Sequence, residues 1–125
     1  MLILAFDDQQ ELNELHTVLK QILGGNLQFR GFDSVQELLK TAEKNGYDVV
    51  FVNMEIQNRR GVLLLGELAF RYPKTNYVGT ATVLSNGDAM TMHHIHGRYI
   101  IKPYEREIIS DTLNYLRYPV RETVL

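Results

Sequence analysis

Two adjacent carboxylates, Asp7 and Asp8, close the first apolar run of the sequence. Carboxylates there can serve a site at the end of a strand, or simply cap the helix that follows. Single polar residues end other short apolar runs: Asn53, Thr80 beside Ala81, and Lys102 before Pro103. Two carboxylates, an amide, a hydroxyl and an ammonium would converge on one rim if the fold brings these run ends to one edge. Each also has an ordinary reading. Asp7 or Asp8 could only cap a helix, Thr80 could be a plain β-branched strand residue, and Lys102 a solvated lysine. Their joint placement at the ends of successive apolar runs is the specific observation.

The elements between them alternate in a regular way. Leu2 to Phe6 is a continuous apolar run, the mark of a strand buried on both faces. Leu12, Leu15, Leu19, Ile22 and Leu23 then form one helix face, stopped by Gly24-Gly25. Leu27 to Phe32 alternates apolar residues with Gln28 and Arg30, as an edge strand does. Ser34 and Glu37 have capping-box spacing ahead of a helix lined by Val35, Leu38, Leu39 and Ala42. Val49 to Val52 is a third strand, followed by a helix from about Gly61 to Tyr72 that Pro73 ends. Tyr77 to Thr80 reads as a fourth strand. Asp88 to Ile95 is a helix without a clear apolar face, closed by Gly97, and Tyr99 to Ile101 is a short fifth strand. A last helix starts near Glu105, carries Ile109, Thr112, Leu113 and Leu116, and stops at Pro119. Five β-α units predict an α/β domain with a parallel sheet covered on both faces, over 1–118, with 119–125 as a tail or the start of a linker. In such sheets ligands sit at the carboxyl ends of the strands, where these polar residues fall.

Composition narrows the function. The 125 residues fit one domain, and 45% apolar content can fill one core. A net charge of −2 argues against an electrostatic nucleic-acid footprint. Without cysteine, thiolate catalysis and zinc-thiolate sites are excluded. No stretch approaches the length of a membrane span, and the N-terminus lacks the pattern of a secretory signal, so a cytoplasmic protein is expected. No glycine-rich phosphate loop follows the first strand, which argues against a P-loop enzyme or a nucleotide binder of flavodoxin type.

The ordered motifs Asp7-Asp8, Val49-Val50-Phe51-Val52-Asn53-Met54-Glu55 with Gly61 downstream, Thr80-Ala81, and Tyr99-Ile100-Ile101-Lys102-Pro103 resemble the receiver domain of two-component response regulators. The resemblance runs from Leu2 to about Leu116. Phe51 to Ile56 resembles receivers that precede LytTR-type DNA-binding domains. The resemblance implies a (βα)5 doubly wound parallel five-stranded sheet of flavodoxin-like receiver fold, in the order 2-1-3-4-5. It implies that Asp7, Asp8 and the main-chain carbonyl of Glu55 surround Mg²⁺, and that position 53 accepts a phosphoryl group. It further implies that Lys102 pairs with the phosphate, that Thr80 and Tyr99 move in response, and that the Lys102-Pro103 bond is cis.

Asn53 departs from that pattern. A carboxamide has no charged oxygen with which to attack phosphorus, so no conventional phosphorylation is expected. One negative charge is lost beside Asp7 and Asp8, which leaves at most weak Mg²⁺ binding and no required cofactor. Glu55 is not expected to replace the acceptor, because it lies past the strand end. Arg59 and Arg60 stand beside the site, either as a solvated loop or as a lure for another anion. His93 and His96 share a helix face, where a solvated helix end is preferred over a divalent site. Of Met90 and Met92, one is expected in the core and one free for partner contact.

The resulting expectation is a pseudo-receiver: a non-enzymatic interaction module of two-component, phosphorelay signalling. Its partner would be a histidine kinase, another regulator or a second copy, bound through helix 4, strand 5 and helix 5. The alternative is the regulatory half of a DNA-binding transcriptional regulator. In either case the domain itself is expected to bind neither nucleic acid nor membrane.

Overall fold

The computed structural model describes residues 1–83 and 85–120. The end of the expected tail, 121–125, lies outside the described residues. Five strands, β1 (Leu2–Phe6), β2 (Gln28–Phe32), β3 (Val49–Asn53), β4 (Asn76–Ala81) and β5 (Arg98–Ile101), pair in parallel in the order β2-β1-β3-β4-β5. Five helices connect or follow them: α1 (Gln9–Leu23), α2 (Val35–Asn45), α3 (Ile56–Arg71), α4 (Asn86–His94) and α5 (Arg106–Asn114). A short 3-10 turn, Gly24–Asn26, links α1 to β2.

Alternation along the strands builds two cores. Ile3 and Ala5 of β1, with Val49 and Phe51 of β3, face Leu12, Leu15, Leu19 and Ile109 from α1 and α5. Leu4, Phe6, Val50 and Val52 face the other way, onto Leu38, Leu64, Leu65, Leu68 and Met92 from α2, α3 and α4. Strands β1 and β3 are thus buried on both faces, as their unbroken apolar runs require, whereas β2 is a half-exposed edge. Serine caps start α2 and α4: Ser34 accepts from the Glu37 amide and Ser85 from the Asp88 amide.

Three stretches differ from expectation. Helix α3 is bounded at Ile56, but Gln57, Asn58 and Arg59 have φ of 54°, 55° and 65°, so its right-handed part begins only at Arg60. Helix α4 starts earlier, because Ser85 supplies a cap before Asn86. Helix α5 ends at Asn114, well short of Pro119: Tyr115 already leaves helical geometry (φ −120°, ψ 39°), and the Tyr118 amide beyond it donates to Asn76 Oδ1 at 2.9 Å.

Candidate functional site

The ends of four strands converge on one rim. Asp7 follows β1, Asn53 ends β3 in register with Thr80 of β4, and Lys102 follows β5. Main-chain bonds pin these ends: Asp7 N–H to Phe32 O (3.1 Å), Met54 N–H to Thr80 O (2.9 Å) and Lys102 N–H to Ala81 O (2.8 Å). Helix α3 presses so closely on the end of β3 that a Cβ on Gly61 would lie 1.9 Å from the Asn53 carbonyl oxygen. Only glycine fits there.

Asp7 is the centre of the rim, and its carboxylate is saturated. Oδ1 accepts the Asp8 amide and Asn53 Nδ2, each at 2.8 Å, while Oδ2 accepts Lys102 Nζ and the Tyr104 hydroxyl, each at 2.9 Å. The Asn53 amide has one sensible orientation, since its Oδ1 accepts the Glu55 N–H at 2.8 Å while its Nδ2 faces Asp7. The Lys102 and Asp7 side chains are only 6% and 2% exposed, so this is a buried ion pair, with Glu11 adding a second carboxylate 3.5 Å from Nζ. Burial, reinforced by the Asp7 charge, pushes the Tyr104 phenol well above the usual tyrosine range. Thr80 Oγ1 stands 3.5 Å from both Val52 O and the Tyr104 hydroxyl, at the limit of hydrogen bonding.

The carboxylates of Asp7, Asp8 and Glu55 are all engaged within the protein. Both Asp7 oxygens are taken, the Asp8 carboxylate caps α1 by accepting the Glu11 N–H at 2.9 Å, and the Glu55 carboxylate is turned to the Thr82 amide (2.6 Å) and hydroxyl (2.9 Å). No cluster of His, Asp and Glu suited to a metal ion occurs among the described residues.

Around the rim runs a strap formed by the left-handed turn after β3. Gln57 Nε2 donates to Asp33 O at 2.6 Å on the β2 side, and Arg59 pairs with the buried Asp88 of α4 on the other. Arg59 is therefore engaged within the protein, while Arg60 is exposed. Tyr99 is half-buried and donates to Val83 O at 3.2 Å, and Lys102-Pro103 is a cis peptide. Met92 is buried and Met90 is 65% exposed, one in the core and one outside. His93 lies in the last turn of α4, but His96 falls beyond the helix, so the two do not share a helix face as expected. Tyr104, absent from the sequence expectations, has one signal: it sits two residues past Lys102 at the same strand end. The pairing of Arg59 with Asp88 had none, because their 29-residue separation carries no local pattern.

No protein-family model and no curated protein matches the sequence. Solved structures do. The chemotaxis protein CheY4 of Vibrio cholerae superposes with a TM-score of 0.77 at 16% identity, over 90% of this chain and 94% of that one. The response regulator TrrA of Thermotoga maritima, in complex with Mg²⁺-BeF, gives 0.73 at 18% identity, over 90% and 96%. DrrB of Thermotoga maritima, an OmpR/PhoB homologue, gives 0.72 at 17% identity, over 90% of this chain and 50% of that one. With its five parallel strands in the order β2-β1-β3-β4-β5 and helices on both faces, the chain has the fold of response-regulator receiver domains.

Proposed function

We propose that the chain is a receiver-type signalling module that takes no phosphoryl group at position 53 and acts by binding other proteins. The observation that carries this reading is the bond from Asn53 Nδ2 to Asp7 Oδ1. An aspartate there would set two carboxylates in contact and require a cation between them. The carboxamide instead donates a hydrogen bond to Asp7, whose one full counter-charge is Lys102. A nucleophilic oxygen is missing, and the ground state needs no metal. The module rests in one rim arrangement, and partners read it through helix α4, strand β5 and helix α5. Met90, Ile101 and Ile108 leave apolar surface exposed there, at 65%, 37% and 41%. In this reading Thr80, Tyr99 and Pro103 are structural remnants of a switch.

The test is intact-mass measurement of wild type and Asn53→Asp after incubation with Mg²⁺ and acetyl phosphate. The wild type is expected to gain no mass, and Asn53→Asp to gain one phosphoryl group in a Mg²⁺-dependent way. A phosphoryl group on the wild type would overturn the reading. A second reading, the regulatory half of a DNA-binding regulator, draws support from the match to half of DrrB. The reading frame beyond Leu125 decides it.

A further inference from the structure

At the opposite edge of the sheet, where β4 and β5 begin, an open cleft of about 410 Å³ lies between the ends of α4 and α5. Its lining brings together His93, His96, Arg98, Arg117 and Tyr115, beside Asn76, whose amide is already bonded to Asp48 O and the Tyr118 N–H. No acidic side chain lines it. Neither arginine forms an ion pair among the described residues, and the four histidine and arginine side chains are exposed. The volume is that of small-ligand sites, roughly 300–1,000 Å³.

Two features oppose a bland surface reading. First, helix ends α4 and α5 point their carbonyls here, and each carries about half a negative charge at most. Two full guanidinium charges exceed that, and at α4 the carbonyls are already bonded: His96 N–H donates to His93 O and Gly97 N–H to Met92 O. Among the lining side chains the full charges are thus the two guanidinium groups. Second, His96 occupies the left-handed position of this cap (φ 58°), where glycine is the usual residue. A histidine there is held in a region that side chains seldom adopt, and it places an imidazole at the cleft. The adjacent Gly97 offers no relief, since a Cβ on it would lie 2.8 Å from Tyr77 O.

We propose that this cleft binds a small phosphate-bearing anion, gripped by Arg98 and Arg117 and hydrogen-bonded by His93 and His96. Guanidinium forks match phosphate oxygens, and neutral imidazole still offers an N–H. Two arginines beside the histidines disfavour a divalent cation in the same place. Tyr115, 70% exposed, offers a flat face on which a planar group of the ligand can stack.

The experiment is ¹H–¹⁵N NMR titration of the whole chain with inorganic pyrophosphate and, separately, ATP, both at physiological salt. Saturable shifts at the amides of 93–98 and 115–117 are expected. Arg98→Gln/Arg117→Gln should weaken binding tenfold or more, whereas Lys40→Gln/Lys44→Gln, which removes the same charge from α2, should leave it unchanged. Each single arginine variant should give an intermediate loss while the remaining spectrum stays that of the wild type. ATP binding tighter than pyrophosphate, with the excess lost in Tyr115→Ala, would identify a nucleotide. Equal binding would identify phosphate alone as the recognised group. Non-saturating shifts, shifts confined to the Asp7 rim, or equal weakening in the lysine pair would overturn the proposal.

Discussion

The Asn53 carboxamide bears on what its neighbour needs, since its Nδ2 donates a hydrogen bond to Asp7 Oδ1. Asp7 is satisfied by four donors, of which only Lys102 carries a full charge. Removing that charge leaves a buried carboxylate with neutral donors alone, a change that typically costs about 3–5 kcal/mol. Lys102→Met is therefore expected to lower stability by about 3 kcal/mol, read as the shift in urea unfolding. A loss under about 1 kcal/mol would mean that Asn53, Tyr104 and the Asp8 amide suffice without the ammonium. Asp7, Asn53, Thr80 and Lys102 were legible in the sequence because each ends an apolar run, and parallel strand ends share one edge. Tyr104 was not, since its role depends on where the chain turns after Pro103, and no periodicity records that.

Among the elements, the strands were the most legible. Being buried on both faces, β1 and β3 admit only apolar residues, and the sequence displays them without interruption. The turn at Gln57, Asn58 and Arg59 was illegible because tertiary partners, not local preference, hold it. Left-handed backbone costs roughly 1–2 kcal/mol per non-glycine residue, and it persists here because Asp33 and Asp88 engage its side chains. Asparagine tolerates this region better than a β-branched residue. Asn58→Val is therefore expected to destabilise the chain by about 1–2 kcal/mol, and Asn58→Gly to be neutral or stabilising, in matched denaturant titrations. Equal effects of the two would remove the strain argument. The lack of an apolar face on α4 was also visible in the sequence, and there Met92 alone anchors the hydrophobic side.

For the whole molecule, the buried phenols link stability to alkaline pH. Burial raises the pKa of Tyr47, Tyr77 and Tyr104 above the ordinary value of 10.0. Each phenol keeps its proton in the fold at pH values where the unfolded chain releases it. Their contribution to stability is thus complete below about pH 10 and is lost as pH rises from there toward the folded values. Unfolding free energy is expected to be level at neutral pH and to fall beyond about pH 10, with a shallower fall in Tyr104→Phe. A curve that stays level to pH 11 would contradict this. The ion pair of Lys102 with Asp7 has one more consequence, for the order of assembly. Its partners stand 95 residues apart, just past the first and last strands of the sheet. A loop of that length closes late. Until β5 docks, a nascent chain carries Asp7 uncovered, so the acid that is sealed in the finished domain is for a time open to whatever cations or chaperones surround it.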